Sequence, residues 1–271
     1  MRENTQGKAP ALGPGMAWEP LGGGHFVLCD GENRVTADPL LLAAFLPERP
    51  AWRVLDIGCG NGVIPLALHR RGFRRLAGVE IDAGALALAR AGARRSGAPE
   101  IEYFCMDVRR LAPPLESGAF DAATLNPPYF SIQAGETGVG RRGEMRSERR
   151  LTAEEAFAAA ARLLRPRGRL FFCHRPQEMP RWLPALTAAG FSLRRAQMVS
   201  HDAAHPPFLL LAEAVKGGAR AGALQGEAAL LLHDAAGRET PAAHAILCPE
   251  DAAQSPSRAP RGDGMHEDGH I

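Results

Sequence analysis

Between Phe26 and Ala214 the apolar positions fall into two alternating kinds of run: short, nearly continuous stretches, and longer ones with apolar residues three and four apart. The first kind suits strands buried on both faces, the second suits helices that cover them. Strands are predicted at Arg53–Ile57, Leu76–Val79, Ile101–Cys105, Phe120–Leu125, Arg169–His174, Phe191–Val199 and Phe208–Ala214. Helices are predicted at Pro39–Leu46, Val63–His69, Ala83–Arg95, Leu151–Leu164 and Glu178–Ala189. Thr36 to Pro39 supplies an N-terminal stop and a first-turn proline, and Thr152 with Glu155 makes a capping box. Strands alternating with helices imply a doubly wound α/β fold whose sheet is mostly parallel. The last two strands, joined by a turn holding Pro206-Pro207, close the seven-stranded sheet as an antiparallel hairpin, and Ala228–Leu232 adds a short strand. Residues 1–25, rich in Gly and Pro, are expected to be a mobile leader in which only Met16–Leu21 packs locally. Residues 26–240 form one domain, and 241–271 are expected to be a disordered tail.

The first strand runs directly into Gly58-Cys59-Gly60-Asn61-Gly62 and then a helix. Glycines there tolerate positive φ and let a ligand approach main-chain N–H groups closely. The second strand ends in Glu80, about twenty residues on, where an acid can hold two ribose hydroxyls. Asp107 follows the third strand and Asn126 the fourth. In an open α/β sheet, ligands collect at the carboxyl ends of strands, so Asp56, Glu80, Asp107 and Asn126 should line one crevice. Each acid alone would suit a helix cap, but four polar groups in register after successive strands point to a nucleoside-containing cofactor.

The fourth strand closes on Asn126-Pro127-Pro128-Tyr129-Phe130. Two prolines lack donors and fix φ, so the strand must stop pairing and turn outward there. The Asn126 side-chain carbonyl and the Pro127 main-chain carbonyl can both accept from one –NH2 group, with Tyr129 offering a flat face to its ring. A plain strand-ending turn uses the same residues, and the upstream acids decide between the two.

Composition changes this picture little. With 271 residues and 45% hydrophobic content the chain can bury a large core, and the formal charge of +2 does not by itself argue for nucleic acid. Positive charge is nearly all arginine, lysine occurring only at Lys8 and Lys216, a bias that genome composition explains as well as phosphate binding does. Cys29, Cys59, Cys105, Cys173 and Cys248 show no CxxC or His-paired spacing, so neither a disulfide framework nor a metal site is indicated, and a reducing cytoplasm fits. The N-terminus has no charged segment followed by an apolar h-region, and no apolar run has the length of a membrane span.

These residues resemble the class I S-adenosylmethionine-dependent methyltransferases, built on a Rossmann-like sheet. Asp56 to Leu66, Asn126 to Phe130 and Arg146-Ser147-Glu148 are similar to segments of the bacterial tRNA1(Val) adenine-N6 methyltransferase family. The similarity runs from about Phe26 to His233; Pro39 and Ser147 depart from the family's usual small residue and histidine. The resemblance implies S-adenosyl-L-methionine as cofactor, with Asp56, Gly58, Gly60, Asn61 and Gly62 at its methionine and ribose portions and Glu80 on its ribose. Asp107 would hold its adenine amine, Ile81 and Val108 would enclose the adenine, and Asn126 would border the same pocket. Asn126, Pro127 and Tyr129 would be catalytic. Pro128, Phe130, Arg141, Arg142, Arg146 and Glu148 would meet the substrate, a tRNA, although Phe130 also suits the core and the arginine segment a solvated charged loop; a monomer is expected. Protein glutamine methylation uses the same Asn-Pro-Pro-Tyr logic, although little room precedes Arg53 for a substrate domain. Guanine-N2 methylation of ribosomal RNA and a non-catalytic cofactor- or RNA-binding module are the other readings.

Overall fold

The computed structural model describes residues 13–110, 112–126, 151–217 and 223–248. Strands β3 (Arg53–Ile57), β4 (Arg75–Glu80), β5 (Glu102–Cys105), β6 (Phe120–Leu125), β7 (Leu164–His174), β8 (Phe191–Ser200) and β9 (Leu209–Lys216) form the main sheet. Their order is β5-β4-β3-β6-β7-β9-β8. Neighbours from β5 to β7 are parallel, and β9 runs antiparallel to both β7 and β8. The two-residue strands β10 (Gln225–Gly226) and β11 (Leu230–Leu231) pair with β8 and bring the sheet to nine strands; β11 falls within the short strand expected at Ala228–Leu232. The chain winds outward from β3 through β5 and then returns to β6 on the other side of β3. That reversal opens a crevice at the carboxyl ends of β3 and β6.

Helices α1 (Ala37–Phe45), α2 (Val63–Arg70) and α3 (Ala83–Arg95) pack on one face, and α4 (Ala153–Leu163) and α5 (Met179–Ala188) on the other. Strand residues divide by parity: Val54, Ala122 and Phe171 face the first layer, Leu55, Ala123 and Phe172 the second. Trp182 of α5 meets Phe172 edge-on at 5.0 Å between ring centres. Burying side chains such as Leu41, Leu66 and Leu170 is worth about 1.5–3 kcal/mol each. The Thr152–Glu155 box expected from the sequence is closed at α4, whereas Thr36 precedes α1 without a side-chain cap bond; at α3 Asp82 accepts from the Gly84 and Ala85 N–H groups. β7 starts at Leu164 rather than Arg169, since Leu164 pairs with Phe120 before a register shift.

Described elements lie beyond residues 26 and 240. Ala17–Gly22, which overlaps the Met16–Leu21 segment expected to pack locally, is β1, paired antiparallel with β2 (His25–Cys29). The turn between them rests on Gly23 and Gly24, at φ 57° and 76°, where only glycine is at ease. Ser96 accepts from the Phe26 N–H at 2.9 Å, and a Cβ on Gly92 of α3 would come within 3.1 Å of the Phe26 carbonyl. His25, His69 and Glu100 form a chain of 2.8 Å contacts from the hairpin to α2 and beyond. At the other end, α6 (Pro241–Leu247) lies in the expected tail; Thr240 caps it, Pro241 opens it and Ala243 is buried against the core. Among the described residues no helix is long and apolar enough to cross a membrane.

Candidate active site

Parallel strand β3 delivers the chain into a loop whose glycines Gly58, Gly60 and Gly62 all sit in the left-handed region, at φ 71°, 52° and 83°. The Gly58 and Cys59 N–H groups donate to the Val79 carbonyl at 2.9 and 3.1 Å, which fixes the loop against β4. A Cβ built on Gly58 or Gly60 meets nothing within 4 Å, so the space in front of the loop is open to a ligand. Gly62 differs. Its Cβ would lie 2.8 Å from Tyr103 Oη and 3.0 Å from Ala89 Cβ, so the absence of a side chain lets α2 close on β5 and α3. Gly62→Ala is expected to cost about 2–5 kcal/mol, from left-handed strain plus overpacking. Urea unfolding checks this, and a loss under about 1 kcal/mol would be too small for both effects.

Glu80, at the end of β4, receives the Gly60 N–H on one carboxylate oxygen at 3.1 Å and those of Ile81 and Asp82 on the other at 2.8 and 3.0 Å. The acid thus holds the loop as well as bordering it. Asp56 on β3 is 3% exposed, and its carboxylate accepts from Thr124 Oγ1 at 2.7 Å. Burial raises its pKa to about 7; the Thr124 hydroxyl works against that rise and the nearby Glu80 charge adds to it. Thr124 was not foreseen from the sequence. It stands opposite Asp56 in the parallel register, which a linear reading does not give.

Asn61 is buried, and its side-chain amide donates to the Leu28 and Asn33 carbonyls at 3.2 and 3.3 Å. Its Nδ2 group therefore ties the loop to the hairpin. Asp107, just past β5, is clamped by Arg109, whose Nε and Nη2 donate to its two oxygens at 2.9 and 2.8 Å. These bonds hold the Asp107 pKa below the usual carboxylate range. Asp107 stays close to Glu80 because the Met106 N–H bonds the Glu80 carbonyl at 3.0 Å. Val108 is buried in the apolar layer and Ile81 is half-buried.

Asn126 follows β6 at the switch point, where the Cys173 thiol donates to its Oδ1 at 3.0 Å. Asp56, Glu80 and Asn126 therefore gather around the open loop with Asp107 adjoining. Pro127, Pro128, Tyr129, Phe130, Arg141, Arg142, Arg146 and Glu148 lie outside the described residues. The sequence showed no metal-ligand spacing, yet Glu239, His244 and Cys248 bring three donor atoms within 4.8 Å of one another. A hydrogen bond of 2.7 Å between Glu239 and His244 accounts for two of them.

A family profile described as "Methyltransferase domain" matches residues 54–136. The tRNA1(Val) (adenine(37)-N6)-methyltransferase of Dickeya chrysanthemi is 35% identical over 161 residues, 58% of this chain and 59% of that protein. The protein of the same name from Tolumonas auensis is 30% identical over 181 residues, 66% of this chain and 74% of its own. Among solved structures, a predicted O-methyltransferase from Agrobacterium tumefaciens has a TM-score of 0.62 at 22% identity, over 79% of this chain and 96% of that one, a likeness of fold alone. The chain spans 59% and 57% of the length of the first curated relatives it matches. With a relative 30% identical across 74% of its length, the chain belongs to the tRNA1(Val) (adenine-N6)-methyltransferase family, within the class I S-adenosylmethionine-dependent methyltransferases.

Proposed function

We propose that this protein transfers a methyl group to the exocyclic N6 amine of an adenine in tRNA. The observation that carries this reading is Asn126, an amide acceptor fixed at the end of β6 on the switch point, beside a glycine loop with open space before it. Relatives at 30–35% identity that are named for that substrate support it. S-adenosylmethionine, when bound, supplies the electrophilic methyl. The loop glycines and the Glu80 carboxylate would hold its methionine and ribose portions, and Asp107, Ile81 and Val108 its adenine.

An aromatic amine is a poor nucleophile because its lone pair is delocalised into the ring. No strong base is needed to use it. Two acceptors on the amine hydrogens, Asn126 Oδ1 and the Pro127 carbonyl, favour pyramidalisation and aim the lone pair at the methyl, which is positioning with electrostatic stabilisation. The target base leaves its stack, and Tyr129 recovers about 1–3 kcal/mol by stacking on it. Arg141, Arg142 and Arg146 would contact the RNA backbone, with Glu148 in the same sequence segment, so binding weakens with salt. The test is incubation with radiolabelled S-adenosylmethionine and separate pools of tRNA, ribosomal RNA, DNA and protein, followed by nucleoside analysis. N6-methyladenosine in the tRNA pool is expected. Label in protein alone would replace this reading with glutamine methylation, and label as N2-methylguanosine in ribosomal RNA would replace it with guanine methylation.

A further inference from the structure

We propose that Cys173 is a positioning residue, which fixes the end of the Asn126 amide that faces the reacting amine. The inference rests on the role proposed above for Asn126. Leu125 and Phe172 are the last paired residues of β6 and β7, and Cys173 follows one step beyond, beside Asn126. Cys173 faces the same layer as Phe171, is 2% exposed, and places its sulfur 3.0 Å from Asn126 Oδ1.

The oxygen and nitrogen ends of an asparagine amide are nearly equal in size, so shape alone does not choose between them. A thiol favours the oxygen end, because Oδ1 accepts its hydrogen whereas its sulfur is only a weak acceptor for Nδ2–H. The hydrogen is present: burial pushes the Cys173 pKa well up, and the nearby Asp38 and Asp56 carboxylates push it further. The thiol uses one lone pair of Oδ1, and the second remains for an amine hydrogen of the substrate. With the amide reversed, Nδ2–H would face the amine N–H, donor against donor, and the lone pair would lose its aim. A buried cysteine can also be a small apolar filler. The two roles predict different behaviour when the donor is kept and when it is removed.

Cys173→Ala removes the donor and Cys173→Ser keeps one. At saturating S-adenosylmethionine and tRNA, kcat of the alanine variant is expected to fall about three- to tenfold, the worth of one neutral hydrogen bond. KM and cofactor affinity should hold, and serine should restore most of the rate. Thermal midpoints of both variants separate this from a packing defect. Wild-type kcat in the alanine variant, or equal losses in both variants that follow their midpoints, would overturn the positioning role. The Asn126→Ala variant separates the two levels of the inference. If it turns over normally, the role proposed for Asn126 fails and takes the positioning role with it; if it is inactive while Cys173→Ala is unimpaired, only the positioning role fails.

Discussion

Asn126→Ala is expected to lower methyl transfer by about 10²- to 10³-fold, the usual cost of one preorganised polar contact in a transition state. Its affinity for S-adenosylmethionine should be unchanged, because the groups proposed to hold the cofactor belong to β3, β4, β5 and the glycine loop. The side chain acts on the amine only as its lone pair localises, so the loss belongs in kcat rather than in KM. Isothermal titration for binding and single-turnover transfer for chemistry measure the two separately. Unchanged turnover would remove Asn126 from the mechanism; lost binding would make it part of the cofactor pocket instead.

Asp56→Asn should stabilise the protein at neutral and alkaline pH. The folded-state pKa of Asp56, about 7, lies above the ordinary value near 4. Its protonated form therefore favours the native state fully below about pH 4, and that stability is lost as pH rises towards 7. The span of about three units corresponds to at most about 4 kcal/mol. Asparagine keeps an oxygen for the Thr124 hydroxyl and carries no charge, so the variant should gain over wild type across that window and keep the gain above it. Urea unfolding at pH 5 and pH 8 measures the difference. A gap between variant and wild type that is the same at both values would mean that the carboxyl does not titrate in this range.

The crevice could be read from the sequence because it depends on local marks. Apolar runs place Asp56, Glu80, Asp107 and Asn126 at strand ends, and a parallel sheet puts those ends on one side. What those residues touch depends on register and could not be read the same way. Thr124 meets Asp56, and Cys173 meets Asn126, only because β6 lies between β3 and β7. The Arg109 clamp on Asp107 is local, but an acid two residues before an arginine does not announce a bidentate pair. The β1–β2 hairpin was hidden by its glycines, which mark a turn here and resemble an unstructured stretch in composition. Thr240-Pro241 is an ordinary helix start, passed over because the short helix behind it has a weak periodic signal.

The Asn61 side chain gives the hairpin a further meaning. Its amide spans from the glycine loop to the Leu28 and Asn33 carbonyls, so opening the hairpin and loosening the loop draw on the same bonds. A ligand that holds the loop raises the free energy of that joint opening by RT ln(1 + [L]/Kd), which grows with its free concentration. Amide hydrogen exchange in β2 should then slow with cofactor concentration. The N-terminal hairpin becomes a remote gauge of whether the methyl donor is seated.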